Sequence, residues 1–329
     1  MTAYITQTIE PWMPAGALKA KDDYAKIAAA SNWKILPLER YNDQRFGQGV
    51  RQEKIRTWTK NLSAGDIVLH QFPSYMSQAF EEGFSQSLSQ VGVKKALLIH
   101  DLEPLRLKKE NPWEFALLKH YDLIVVHSPA MANKLREHGI DKPFVVQGLF
   151  DYLGPVPAGA EYSKKINFAG TFQKSPWLQE YAGPEITLFG SKPKKWRDFD
   201  FPADITWRGN YAPDEIAFEF KSGFGLLWDN DFDDKKYQSY TRWNAPHKAS
   251  LYLKAGLPLI AWSQSYLGQV IKSQGIGLTI DDLSQLKRVA DVTVQQYQDW
   301  QTNLQPLADK VNAGRYSQKV LTAIKKQLS

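Results

Sequence analysis

The chain has 329 residues, no cysteine, and a net charge of +6 from 41 basic and 35 acidic side chains. The missing thiols exclude disulfides, thiolate metal sites and cysteine catalysis. The modest positive charge suits anionic ligands without demanding nucleic acid.

At this length two domains of roughly 150 residues each are expected. Eleven Trp, 15 Tyr and 16 Phe provide core material and flat rings of the kind that stack on sugars and bases. No apolar run approaches the roughly 18 residues of a membrane span. The start, MTAYITQTIEPW, lacks the charged and apolar regions of a signal peptide. The expectation is a soluble cytoplasmic protein.

In chain order, AYITQTI predicts a strand, EPWMPAGALKAKD a loop, DDYAKIAAASN a helix and WKILPL a strand. GDIVLHQFP predicts a buried strand, MSQAFEEGFSQSLSQVG a helix and KKALLIHD a strand. NPWEFALLKHY reads as a helix, DLIVVHSP as a strand, AMANKLREHGI as a helix and PFVVQGLF as a strand. Strands that are apolar throughout and separated by helices indicate a parallel sheet covered on both faces.

The stretch DYLGPVPAGAEYSKK has Gly and Pro twice each and no periodicity, which marks a linker. It separates an N-terminal domain, 1–155, from a C-terminal one, 160–329. The pattern then restarts. KINFAGT and EITLFG are strands, Arg208 to Tyr211 a loop, PDEIAFEFKSG a helix and FGLLWD a strand. NAPHKASLYLKAG predicts a helix capped by Asn244, and LPLIAW, YLGQVIKSQG and IGLTI read as strand, helix and strand. The tail from about Asp281 is mostly helical and puts Tyr316, Val320, Ile324 and Leu328 on one face. The sum is an α/β protein of two Rossmann-like domains with parallel sheets facing a cleft, and a C-terminal helical tail.

Ligands of such sheets bind beyond the carboxyl ends of the strands. Polar residues that follow strands are therefore candidates. His100, Asp101, Glu103 and His127 come from the first domain, and Thr171, Arg208, Tyr211 and the aspartates 229 and 231 from the second. Gly16, placed between a strand and a helix, could admit a ligand to the backbone. Lys248 in the first turn of a helix is electrostatically misplaced, unless an anion such as a diphosphate sits at that end. Asp229 and Asp231 could hold a divalent metal, but the run DNDFDDKK reads better as a polar loop, and no metal is expected. KPKKWRDF, with Trp196 among cations, could touch an anionic membrane surface, although a solvated basic loop is the simpler reading. No P-loop, GxGxxG, HExxH or GxSxG pattern occurs.

At FAGTFQKSPWL, GNYAPDEI, FGLLWD and NAPHKASLYLKAGLPLIAWS the chain resembles a bacterial glycosyltransferase group. One branch extends the first sugar on serine-rich-repeat adhesins, and the other comprises β-1,6-galactofuranosyltransferases. AGALKAKDD and LLIHDLEPLR are similar to that group as well. The resemblance implies a GT-B fold, a UDP-sugar donor held mainly by the C-terminal domain, no metal and a homo-oligomer. It also implies that Tyr211 and Lys248, with Lys174 as a looser match, contact the donor diphosphate. Asn244 and His247 belong to the same motif and count as donor-site candidates with Gly16, Thr171 and Arg208.

The expected reaction is hexosyl transfer to a hydroxyl of a glycoprotein or glycan acceptor. Helix-end N–H groups with Lys248 and Lys174 would stabilise the departing UDP. If the reaction inverts, Asp101, then Glu103, are the candidate bases, with His100 or His127 behind them. The alternative is a non-catalytic sugar-nucleotide-binding subunit. Which hexose is transferred, glucose, galactose, galactofuranose or N-acetylglucosamine, stays open.

Overall fold

The computed structural model describes residues 1–13, 15–108, 112–170 and 172–329. The chain divides into two compact units, one of residues 1–148 with 316–329 and the other of residues 149–315.

The first unit runs β1 (Ala3–Ile9), α1 (Ala15–Ala30), β2 (Lys34–Glu39), α2 (Gln48–Thr59), β3 (Ile67–Phe72), α3 (Gln78–Val91) and β4 (Lys94–Ile99). It continues with α4 (Glu103–Arg106), α5 (Trp113–Leu118), β5 (Leu123–Val126), α6 (Pro129–Glu137) and β6 (Phe144–Val146). Its strands form one parallel sheet in the order β2-β1-β3-β4-β5-β6. Every residue of β3 and β5 is buried, as covering both faces requires. Ser77 and Ser128 cap α3 and α6 by accepting from Phe80 N and Met131 N.

The second unit runs β7 (Glu161–Ala169), β8 (Ile186–Phe189), β9 (Ile205–Gly209), β10 (Ser222–Leu227), β11 (Asp231–Phe232), β12 (Lys235–Lys236) and α7 (Tyr237–Tyr240). Then come α8 (Lys248–Lys254), β13 (Leu259–Trp262), α9 (Tyr266–Gln274), β14 (Gly277–Ile280) and α10 (Val294–Asn312). The parallel sheet order is β14-β13-β10-β7-β8-β9, and β11 and β12 form a small antiparallel hairpin. Phe168, Phe224, Leu226 and Ile260 are fully buried in the core around this sheet.

The structure departs from the sequence expectations at several elements. Helix α1 starts at Ala15, so the expected loop around Gly16 is helical, as its alanines and leucine favour. Helix α2 forms over Gln48–Thr59, where the sequence expectation places no element. PDEIAFEFKSG holds only a 3₁₀ turn, Ile216–Glu219, because Phe220 packs edge-on against Phe189 and Tyr252 and leads directly into β10. The segment around Arg208 is the end of edge strand β9. The last helix, α11 (Arg315–Leu328), belongs largely to the first unit rather than the second. Val320 and Ile324 are fully buried there, Lys325 Nζ donates to Ser31 O at 3.2 Å, and its ammonium lies 5.3 Å over the Trp33 ring.

Among the described residues no helix is long and apolar enough to cross a membrane.

Candidate functional site

In the second unit the carboxyl ends of β7 and β10 meet the start of α8. Lys248 is the first residue of that helix and is half-buried. Its Nζ stands 3.8 Å from Asp229 Oδ1 and 4.5 Å over the Phe168 ring. Loss of water pushes its pKa down, Asp229 opposes this, and Lys174 pushes it down further. Lys174 is thus close enough to repel it. Lys174 Nζ itself lies 5.2 Å over the Tyr237 ring. At Gly170 a Cβ would come within 3.3 Å of Lys248 Nζ, so the bare backbone there leaves room for the lysine.

The seat of α8 depends on a second close approach. Tyr252 lies flat against β10 at Gly225, where a Cβ would meet the ring at 2.4 Å, and its hydroxyl accepts from Ala169 N at 2.8 Å. The opposite side of α8 grips the segment that enters the unit. Lys254 is buried and donates to Tyr152 O and Gly154 O at 3.2 and 2.9 Å, and Ser250 Oγ donates to Phe150 O.

His247 belongs to that grip. Its Nε2 pairs with Asp151 O at 2.9 Å and its ring stacks on Tyr152 at 4.7 Å. It anchors the helix rather than lining the pocket beside Lys248. Asn244 does line that pocket, with Trp228, Asp229, Thr241 and Ser265. It does not cap α8. The cap position is His247, no side chain bonds there, and Asn244 Oδ1 is buried without a hydrogen-bond partner. Asn244 N donates to Tyr240 O in a local turn, four residues before the helix begins.

The other donor-site candidates are placed separately. Tyr211 packs its ring against Phe189 at 5.9 Å, and Arg208 is exposed on β9. Neither lines the pocket beside Lys248. Thr171 lies outside the described residues. Gly16 is exposed in the first turn of α1 with open space around it. Of the two aspartates weighed for a metal, Asp229 faces Lys248, whereas Asp231 accepts from Ser239 N at 3.0 Å. Trp196 is 3% exposed and stacks on Phe172, so it is a core residue and not a surface anchor.

In the first unit, Asp101 and Glu103 converge on one arginine. Arg106 Nη1 is 3.1 Å from Asp101 Oδ2 and 2.6 Å from Glu103 Oε1. Both carboxylates keep about a third of their surface, at 34% and 36%, while the arginine side chain keeps 11%. Glu103 N donates to Glu114 Oε2 at 2.9 Å, which fixes the turn.

His127 is buried against Ile99 O, and loss of water takes its pKa down to about 4, which makes it an interior histidine. His100 is half-exposed and bonds Gln71 Oε1 at 2.9 Å. Behind them sits Lys21, 1% exposed, donating to Gln71 O and Pro73 O and lying 4.4 Å over the Tyr75 ring. Burial takes its pKa down to about 7, against the pull of Glu81 and Asp101. The sequence offered only the run KAKDD as a signal for it.

Comparisons with known proteins cover both units. Residues 2–149 match the model of the glucosyltransferase 3-like N-terminal domain, and residues 166–324 that of the corresponding C-terminal domain. The chain is 26% identical over 321 residues to Glucosyltransferase 3 of Streptococcus gordonii, covering 93% of this chain and 92% of that one. It is 25% identical over 319 residues to the Beta-1,6-galactofuranosyltransferase WbbI of Escherichia coli K12, covering 94% and 92%. Among solved structures, Anabaena HepE in complex with UDP and glucose superposes with a TM-score of 0.66 at 10% identity, over 99% of this chain and 100% of that one. The two parallel six-stranded sheets are those of the GT-B architecture.

Proposed function

Since the chain belongs to the glucosyltransferase 3-like family, we propose that it transfers a hexosyl group from a UDP-sugar to a hydroxyl of a sugar acceptor on a glycoprotein or cell-surface glycan. The observation that carries this reading is the half-buried Lys248 ammonium at the carboxyl ends of β7 and β10, with Lys174 near it. Two cations in one partly desolvated place repel each other, and a diphosphate relieves that repulsion. Glucose, galactose, galactofuranose and N-acetylglucosamine all remain within the proposal. The relatives named for glucose and galactofuranose support the hexosyl class.

In glycosyl transfer the barrier is largely charge separation. Negative charge builds on the departing UDP while the anomeric carbon becomes cation-like. Fixed positive charge that water does not screen lowers that barrier. Lys248 and Lys174 would supply it, with no metal required.

On the acceptor side Asp101 is the proposed base and Glu103 the reserve. Their shared Arg106 would hold the carboxylates in place to take the acceptor proton.

The test is calorimetric titration of UDP with EDTA present, followed by a UDP-sugar turnover assay. UDP binding lost in Lys248→Ala and turnover lost in Asp101→Asn at unchanged UDP affinity would bear the proposal out. UDP binding without turnover of any UDP-hexose, with any acceptor tried, would leave a binding subunit instead of an enzyme. Binding that needs added magnesium would move the phosphate site to Asp229.

A further inference from the structure

A second depression lies in the first unit, outside every residue considered above as a candidate. Three loops build it. Glu10 and Trp12 follow β1, Arg40 to Gln44 follow β2, and Tyr75 to Ser77 follow β3. It therefore sits beyond the carboxyl ends of the strands at the β1/β3 junction. There the sheet order 2-1-3-4 reverses direction, and open α/β sheets commonly bind ligands at that point. Its volume of about 530 Å³ falls within the roughly 300–1,000 Å³ of ligand pockets.

Ion pairs and hydrogen bonds tie the walls together. Arg40 is clamped on two sides, by Glu10 and by Tyr75 O, the latter at 2.7 Å. Asp43 is 2% exposed and is held by Arg51 and Ser77. Each carboxylate thus has its own arginine, and the two lysines at this wall, Lys54 and Lys21, lie 4.8 and 4.4 Å over the Tyr41 and Tyr75 rings. Against this fixed polar floor stands Trp12, 82% exposed, a cost in water that a ligand face would relieve. Tyr41 Oη is buried in the same wall without a hydrogen-bond partner. Tyr75 links the groove to the proposed base, since its phenol feels the charges of Asp101 and Arg106.

We infer that this groove takes a neutral saccharide, with a sugar face on the Trp12 ring and hydroxyls on Arg40, Glu10 and Tyr41. Resting on the transferase reading, it is the subsite for the non-reducing end of an uncharged acceptor glycan. Phosphorylated or carboxylated sugars are disfavoured because the arginines are already paired with Glu10 and Asp43 and the lysines are engaged on the tyrosine rings.

The test uses the full chain and saturation-transfer NMR. The probes are neutral methyl glycosides and disaccharides of glucose, galactose and N-acetylglucosamine, with glucose 6-phosphate as the charged comparison. The wild type is expected to bind at least one neutral probe, Trp12→Ala to bind it roughly tenfold more weakly, and Trp12→Phe to retain most of the affinity. UDP affinity should be the same in all three. Equal saccharide binding in Trp12→Ala, preference for glucose 6-phosphate, or no response to any neutral probe would each overturn the inference. If UDP also fails to bind the wild type, the transferase reading falls separately.

Discussion

Replacing Lys248 by Ala tests the proposed donor site most directly. A hydrogen bond to a charged group contributes about 1.5–3 kcal/mol net, and each 1.4 kcal/mol is tenfold in affinity. Loss of the ammonium alone should therefore weaken UDP by roughly 10- to 150-fold. The geometry adds a second effect. Asp229 lies 3.8 Å from the ammonium, and at an effective dielectric of about 20 such a pair interacts by about 4 kcal/mol at most. Without the lysine, that carboxylate turns its full charge on the incoming diphosphate.

The double variant Lys248→Ala/Asp229→Asn should therefore bind UDP more tightly than Lys248→Ala alone, with a coupling that a double-mutant cycle reads directly. Calorimetry in EDTA, with circular dichroism to confirm folding, is the assay. A UDP affinity within twofold of wild type in Lys248→Ala would refute the diphosphate assignment. A double variant weaker than the single one would refute the role given to Asp229.

Gly225→Ala drives a Cβ into the Tyr252 ring and should cost about 1–3 kcal/mol by overpacking; a thermal melt should show a lower Tm, and calorimetry weaker UDP binding as α8 shifts. Lys254→Met leaves Tyr152 O, Gly154 O and Asn312 Oδ1 without their buried donor and should lose about 2–4 kcal/mol by urea unfolding, with UDP binding weakened as α8 loosens. Asp101→Asn should cut turnover by about 10²–10⁴ if it is the base, with UDP affinity untouched; full activity there and loss in Glu103→Gln would transfer the role. Burial raises the pKa of Glu81 to about 7, so the folded state binds the proton more tightly than the unfolded one, and the benefit present at low pH fades as pH climbs from the ordinary carboxylate range through 7. Glu81→Gln should therefore raise Tm relative to wild type more at pH 8 than at pH 5, and the opposite trend would show that the carboxylate is held ionised.

The two sheets were legible because their strands are apolar throughout, a pattern that few local alternatives satisfy. Lys248 stands out in the sequence because a cation at the start of a helix conflicts with local electrostatics, and the structure sets Asp229 3.8 Å from it. Local sequence misled where tertiary contacts overrode it. Asn244 has a capping side chain, yet Asn244 N is bound to Tyr240 O and the helix begins four residues later. PDEIAFEFKSG has helical periodicity, yet Phe220 is drawn into the core. The remaining residues were hidden because their partners are remote in sequence. Lys21 finds its carbonyls 50 and 52 residues away, Arg40 pairs with Glu10 across 30, and the groove around Trp12 needs three loops at once. No window of sequence contains such a site.

The pairing of Lys248 with Asp229 bears on how the proposed donor site would work. A half-buried ammonium is costly unless something offsets its lost hydration. A carboxylate in tight contact would offset it fully, and a diphosphate would then have to break a strong ion pair before binding. At 3.8 Å, beyond the 2.7–2.9 Å of a charge-assisted hydrogen bond, Asp229 offsets only part of it. The ammonium keeps its donors for a closer, more highly charged partner. Tyr252 against Gly225 and Lys254 on the entering segment hold α8 from two sides, so the lysine has little backbone freedom to relax toward Asp229. In the proposed reaction, the resulting preorganisation would favour UDP as a leaving group, because the charge that receives it would already be in position before the bond breaks.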